Sequence, residues 1–389
     1  MQIGLEVLPQ RPLARLQGAR LALLTHRAAV DESFRPAHEE IAQTFPGQLR
    51  ALFTPQHGLW GAEQDNMIET PHSRHSKLGI PVHSLYAESR KPSPQSLEDI
   101  DYLLVELQDV GTRVYTYLWT LTYCLEACAE RGIPVVVLDR PNPLGGERVE
   151  GRCLELEYSR FVGRAALPMR HGLTLGELAL YTNHALACGA EVDVVPMEGW
   201  QRPQGFPPAR SWVPPSPNLP RLEGVRSYPG TVLFEGTTFS EGRGTTTPFE
   251  VVGAPAVDPW VWRESTSGAE LRGVRLEPVY FTPTFHKFQG ERCGGLVLQV
   301  TSQEYRPYHT ALVLLDAARR LYGAALGWRD PPYEYEHSRL PIDLIAGGPD
   351  LRQAVDRGLT PETLRDLCEP PQSRWCREVE PFLLYPPTT

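Results

Sequence analysis

The chain has no glycine-rich phosphate loop. No Gly-x-Gly-x-x-Gly follows its first strand-like run, and Gly-x-x-x-x-Gly-Lys-Ser/Thr occurs nowhere in its 389 residues, which argues against dinucleotide and P-loop chemistry. Gly-x-Ser-x-Gly and His-Glu-x-x-His are missing too, so a nucleophile-elbow hydrolase and a zincin are disfavoured. No apolar run approaches the length needed to cross a bilayer. The first thirty residues lack the basic start, apolar core and small-residue cleavage site of a signal peptide. Together these absences read as a cytoplasmic chain with no membrane partner. Positive charge is in deficit, with 38 Lys and Arg against 47 Asp and Glu and a net charge of -9, and there is no basic tract, which argues against nucleic acid. The seven cysteines are an odd number in a large chain and form no disulfide framework. Cys124 and Cys128 share a helical face, but no second pair stands at metal-ligand spacing, so packing is the expected role.

What is present is a globular balance, 41% hydrophobic and 22% charged, in a chain long enough for two domains. Proline is in excess, at 38 residues, and its clusters (Pro207-Pro208, Pro214-Pro215) imply stiff, ordered loops. Up to about Pro196, short runs without period-two alternation fall between helical patterns. The strand-like runs are Arg20–Thr25, Leu49–Phe53, Tyr102–Leu107, Pro134–Leu138 and Val192–Pro196. Helices are expected near Pro36–Thr44, from Ser93-Pro94, from Tyr115 to Arg131, and from Thr174 to Ala187. Thr174-Leu175-Gly176-Glu177 has the form of a capping box. This alternation predicts an open, doubly wound parallel sheet. Gly199–Pro229 reads as a proline-rich loop. Beyond it come strand-like Thr231–Glu235, Val274–Phe281 and Gly295–Thr301 and a helix over Tyr308–Ala325. The expected division is an α/β domain over residues 1–222 and a smaller α+β domain over 223–389.

In such a sheet ligands bind beyond the carboxyl ends of the strands. Those ends are Thr25-His26-Arg27, Thr54-Pro55-Gln56-His57-Gly58, the stretch Gln108–Tyr117 with Asp109, Arg113 and Tyr115, and Asp139-Arg140-Pro141-Asn142-Pro143. Taken one at a time, Asp109 and Asp139 are as well suited to capping helices or tying loops; taken together, the ends read as an active-site rim. The second half adds Asn218 on a rigid proline loop, and Phe234–Pro248, where Glu235, Glu241 and Arg243 stand among hydroxyls and glycines. That segment suits a polyhydroxylated substrate, the plainer alternative being an Arg243–carboxylate tie that stiffens a loop.

At these stretches the sequence resembles the NamZ family of exo-lytic peptidoglycan hexosaminidases. The matching segments are Thr54–Gly58, Gln108–Tyr117, Asp139–Pro143 with Gly145-Gly146, Val213–Pro220, Phe234–Thr247, Phe249–Pro255 and Pro278–Phe285. The resemblance implies a Rossmann-like first domain, a smaller second one, and a cleft between them. It also implies release of N-acetylmuramic acid from the non-reducing ends of peptidoglycan fragments without a required cofactor, and the missing glycine motifs and weak metal spacing predict that no nucleotide or metal is needed. The partner is then a small sugar or muropeptide. Many members carry Pro-Glu-His-Gly where this chain has Pro55-Gln56-His57-Gly58, and a glutamine cannot exchange a proton as that glutamate would. The expected catalytic groups are Glu241 or Asp109 with His57. Gln56, Asp65, Arg113, Tyr115, Arg140, Asn142, Asn218, Glu235 and Arg243 are expected to bind substrate, the arginines taking its lactyl carboxylate. The rival readings are a muropeptide-binding protein without catalysis and, more weakly, a metal-dependent hydrolase using His57, Asp109 and Asp139.

Overall fold

A computed structural model describes residues 1–64, 67–369 and 372–386. Its first sheet has seven strands: β1 (Leu21–Leu24), β2 (Leu49–Thr54), β3 (Ser73–Arg74), β4 (Pro81–Ser84), β5 (Tyr102–Val105), β6 (Val135–Leu138) and β7 (Val192–Val195). The order is β3-β4-β2-β1-β5-β6-β7, with every pairing parallel except β3 on β4. The aliphatic runs of β1 and β6 are buried along their whole length, as strands covered on both faces require. From β1 the chain steps outward to β2 and β4, then returns to the other side of β1 for β5. The order therefore reverses between β1 and β5, the place where an open α/β sheet forms its ligand crevice.

The helices on this sheet follow local rules. Thr174 caps the helix Leu175–Ala185: its Oγ1 accepts from the Glu177 amide at 3.3 Å, while Glu177 Oε2 accepts from the Thr174 amide at 3.0 Å, the expected capping box. The helix Tyr117–Ala129 lies within the expected span. The segment from Ser93 forms only a single 3-10 turn, Gln95–Leu97.

The second sheet is antiparallel, β8 (Val251–Ala254), β10 (Cys293–Val300) and β9 (Val274–Phe281), in the order β8-β10-β9. The long helix Pro307–Tyr322 packs chiefly against the helix Leu222–Thr231. Two expectations are corrected before this sheet begins. The proline-rich loop ends early, because Leu222–Thr231 is a helix that tolerates Pro229. Thr231–Glu235 is not a strand; Val232–Gly236 continues that helix as a 3-10 turn whose residues are all buried. The apolar run read as a strand is wrapped on every side, and packing overrides its β-propensity. Gly230 permits this arrangement, since a Cβ there would lie 2.0 Å from the Pro307 carbonyl oxygen.

One continuous apolar cluster joins the two sheets, taking in Ala22, Leu24 and Val105 from the first, Leu296 and Leu298 from the second, and Leu315 from the helix Pro307–Tyr322. The chain also crosses back at its far end. Trp375 meets Tyr181 edge-on at 5.3 Å, and Tyr385 Oη donates to Asp139 Oδ2 at 2.7 Å. Residues 372–385, which the sequence grouped with the second unit, thus rest on the first.

Candidate active site

Where the carboxyl ends of β2 and β5 meet the second unit, a small cavity of about 40 Å3 opens. The first unit contributes Gln56, His57, Tyr115 and Thr116, the proline loop Ser216, and the second unit Glu235, Arg243, Tyr333 and Glu334.

Gln56 and His57 follow directly from β2. The chain turns there with φ +71° at His57 and +69° at Gly58, a left-handed pair that swings both side chains inward. Gln56 Oε1 accepts from Thr116 Oγ1 at 3.0 Å, and its carbonyl accepts from Tyr117 Oη at 3.2 Å. The Gln56 amide nitrogen makes no protein hydrogen bond among the described residues and is left for a ligand. His57 is held by both ring nitrogens, with Nδ1 at 2.6 Å from the Glu63 carbonyl and Nε2 at 3.1 Å from Ser216 Oγ. Tyr115 Oη is buried beside Tyr117, the two ring centroids 4.6 Å apart.

On the facing wall Glu235 is paired with Arg243 and accepts from Tyr333 Oη at 2.8 Å. Behind it lies a buried charge cluster. Lys287 Nζ donates to Glu241 Oε2 at 2.9 Å and to the carbonyls of Phe234 and Phe239 at 2.8 Å each. Arg243 Nε and His286 Nδ1 each stand 3.3 Å from Glu241 Oε1. Burial alone would raise the Glu241 carboxyl, but Lys287, His286 and Arg243 outweigh it and hold the group down at about 2. Glu241 does not line the cavity. It fastens the loop that presents Glu235, and a carboxyl ionised so firmly has no proton to give near neutral pH.

Tyr333-Glu334-Tyr335-Glu336 forms a two-residue hairpin. The amides of Tyr333 and Glu336 each donate to the other's carbonyl at 2.9 Å, and φ is +43° at Glu334 and +67° at Tyr335. Positive φ at both central positions is the type I′ pattern, which usually selects Asn-Gly. Here the turn carries a glutamate whose Oε2 accepts from Tyr86 Oη at 2.9 Å. Burial pushes its carboxyl up to about 7; the Tyr86 hydrogen bond opposes that, Glu235 adds to it, and Arg90 and Arg243 oppose it. Three residues that line the cavity, His57, Phe249 and Glu334, have left-handed backbones without being glycine, and strain of this kind gathers at functional sites.

The cavity therefore unites Gln56, His57, Tyr115, Glu235 and Arg243. Others among the expected residues have structural partners instead. Arg113 is wholly buried and donates to the carbonyls of Arg152, Leu167 and Ile345 at 2.7–3.0 Å, a tie across the two units rather than a carboxylate clamp. Arg140 is occupied by Glu106 at 2.5 Å and Gln108 at 3.0 Å. Asn142 donates to the Leu173 carbonyl at 3.0 Å and accepts from the Leu144 amide at 2.9 Å. Asn218 binds the Gln64 carbonyl at the rim. Asp109 sits behind Tyr115 and Tyr228, accepting from the Gly111 amide at 2.6 Å with His171 Nε2 3.6 Å away. Asp139 accepts from Thr174, Gly176 and Tyr385, as a loop tie does. Asp65 lies outside the described residues. Among the described residues no group of three or more His, Cys, Asp or Glu side chains is placed to hold a metal ion, and no helix is long and apolar enough to cross a membrane. Sequence reasoning missed Glu334 and Lys287. The only signal for Glu334 was an acid between two tyrosines after Pro331-Pro332, in a segment with neither helical nor strand period.

Two family models cover the chain: the N-terminal domain of exo-β-N-acetylmuramidase NamZ matches residues 21–223 and its C-terminal domain residues 226–385. A relative from Bacillus subtilis, peptidoglycan β-N-acetylmuramidase NamZ, is 38% identical over 388 residues, covering 99% of this chain and 91% of its own. Two crystal structures of DUF1343-family proteins from Bacteroides fragilis share the fold. One has a TM-score of 0.88 at 28% identity, covering 99% of each chain; the other has 0.76 at 29%, covering 100% of this chain and 99% of its own. With both domains matched in order and along nearly the whole length, the chain belongs to the NamZ family of exo-β-N-acetylmuramidases.

Proposed function

We propose that this protein is a glycoside hydrolase that releases N-acetylmuramic acid from the non-reducing ends of peptidoglycan fragments. The observation that carries the reading is one small cavity holding two buried carboxyls, Glu235 and Glu334, in unlike surroundings. Glycosidases work with such pairs, one group charged and one able to give a proton. Gln56 supplies an amide donor for hydroxyl or acetamido groups on a wall it shares with Tyr115, while Arg243 stays with Glu235. Labour divides between residues 1–222, which hold the sugar, and 223–389, which bring the carboxyls.

Purified protein should release both chromophore and free sugar from a chromogenic β-N-acetylmuramide, and a chelator should leave the rate unchanged. Binding of muropeptides without turnover would instead favour the rival binding protein. Gln56→Glu is expected to keep or raise kcat/KM, because a carboxylate oxygen can accept the same Thr116 hydroxyl. A fall of more than about tenfold, the worth of one good hydrogen bond, would mean that the amide nitrogen itself is needed.

A further inference from the structure

We propose that Glu334 is the proton donor of this site, a role that rests on the glycosidase reading above. Three independent features of the structure lead there. The hairpin holding Glu334 adopts left-handed angles at two successive non-glycine residues, each costing roughly 1–2 kcal/mol, and a turn built only to reverse the chain would carry Asn-Gly. The side chain is buried, and among the described residues its hydrogen-bond partner is Tyr86, through Oε2. The residue lines the cavity together with Gln56, His57 and Glu235. Among the described residues the other carboxyl lining the cavity, Glu235, is held by Arg243 and Tyr333, and Glu241 behind it is held by Lys287. Gln56 has no proton to give.

The step balances simply. As the bond from the anomeric carbon to the glycosidic oxygen breaks, that oxygen takes the bonding pair and the proton from Glu334 Oε1. The negative charge of Glu235 stabilises the cationic sugar across the cavity. Water adds at the anomeric carbon, and the proton it sheds restores Glu334 through solvent. The charged and titratable groups around Glu334 are Glu235, Arg243, Tyr228, Tyr333, Tyr86 and Arg90, with His57 and Tyr115 lining the same cavity. They leave its carboxyl at about 7, so the acid form is present at neutral pH and is lost above it.

The test is Glu334→Gln on two substrates. A muramyl disaccharide expels an alkoxide and needs a proton; a 4-nitrophenyl β-muramide expels a phenolate that leaves without one. On the disaccharide kcat/KM should fall at least ~100-fold, the lower end of a general acid's contribution, and on the aryl glycoside by no more than about tenfold. The fall in rate above neutral pH should vanish with the aryl substrate. The variant should melt with wild type at acid pH and above it at about pH 8. A carboxyl raised by burial stabilises the fold while protonated and loses that contribution as pH rises through its folded value, whereas the amide does not titrate. Tyr86→Phe removes a hydrogen bond that favours the ionised form, so it should keep activity and move the alkaline limb upward. Equal losses on both substrates, or an alkaline limb unmoved by either variant, would assign the proton elsewhere. A wild type inert on both substrates would overturn the glycosidase reading itself, and this assignment with it.

Discussion

Replacing Arg243 with methionine is expected to destabilise the protein by about 3–5 kcal/mol, the usual cost of removing one partner from a buried ion pair. Arg243 pairs with Glu235, stands 3.3 Å from Glu241, and lies over the Phe249 ring at 4.9 Å. Methionine keeps much of the apolar stem but leaves Glu235 buried with a tyrosine hydroxyl as its remaining partner. Lys287 still holds Glu241, so the loop loosens at the cavity wall first. Denaturant titration measures the loss. The acid side of the stability profile provides a second check. In the wild type Glu241 is held at about 2, below its ordinary 4.5; it stabilises the fold fully above the ordinary value, and that contribution drains away as pH falls toward 2. With one of its cations gone the drain should be shallower. An Arg243→Met protein as stable as wild type would mean that the cluster contributes nothing net.

Gly230→Ala sets two effects against each other, and their magnitudes decide the sign. Within a helix, alanine is favoured over glycine by roughly 1 kcal/mol. The new Cβ, however, would sit 2.0 Å from the Pro307 oxygen, 2.6 Å from its carbonyl carbon and 2.9 Å from Ala311 Cβ. Two of those atoms are backbone and cannot rotate away, so the helices Leu222–Thr231 and Pro307–Tyr322 must part by more than 1 Å. Overpacking of this severity costs 3 kcal/mol or more at the upper end of the observed range, giving a net loss of about 2 kcal/mol. Since Leu222–Thr231 runs straight into the turn that carries Glu235, kcat/KM should fall along with the melting temperature. A higher melting temperature would show that helix propensity had won.

The first sheet was legible because its strands obey one rule. Leu21–Leu24 and Val135–Leu138 are unbroken aliphatic runs, and buried parallel strands need nothing else. The capping box at Thr174 was legible for the same reason: its chemistry is local. Gln56, His57, Tyr115, Glu235 and Arg243 could be placed at the site because strand ends and a polar glycine-rich loop announce themselves in sequence. The roles of Arg113 and Asn142 could not be, since an arginine that bonds three carbonyls and one that binds a carboxylate have the same one-letter code. Glu334 escaped because its position depends on a hairpin whose sequence breaks the turn's own preference, so no residue pattern marks it.

The return of residues 372–385 to the first sheet bears on how the protein is made. Trp375 and Val379 complete an apolar cluster with Leu118, Trp119, Leu178 and Tyr181, all of which leave the ribosome long before them. During synthesis the face of helix Leu175–Ala185 stays bare while the whole second unit is translated, and nascent chains with uncovered apolar surface are prone to aggregate. The last segment then closes the first unit, so a ribosome that stalls short of Trp375 releases a protein whose cavity-lining residues are all present but whose helix Leu175–Ala185 is still open to water.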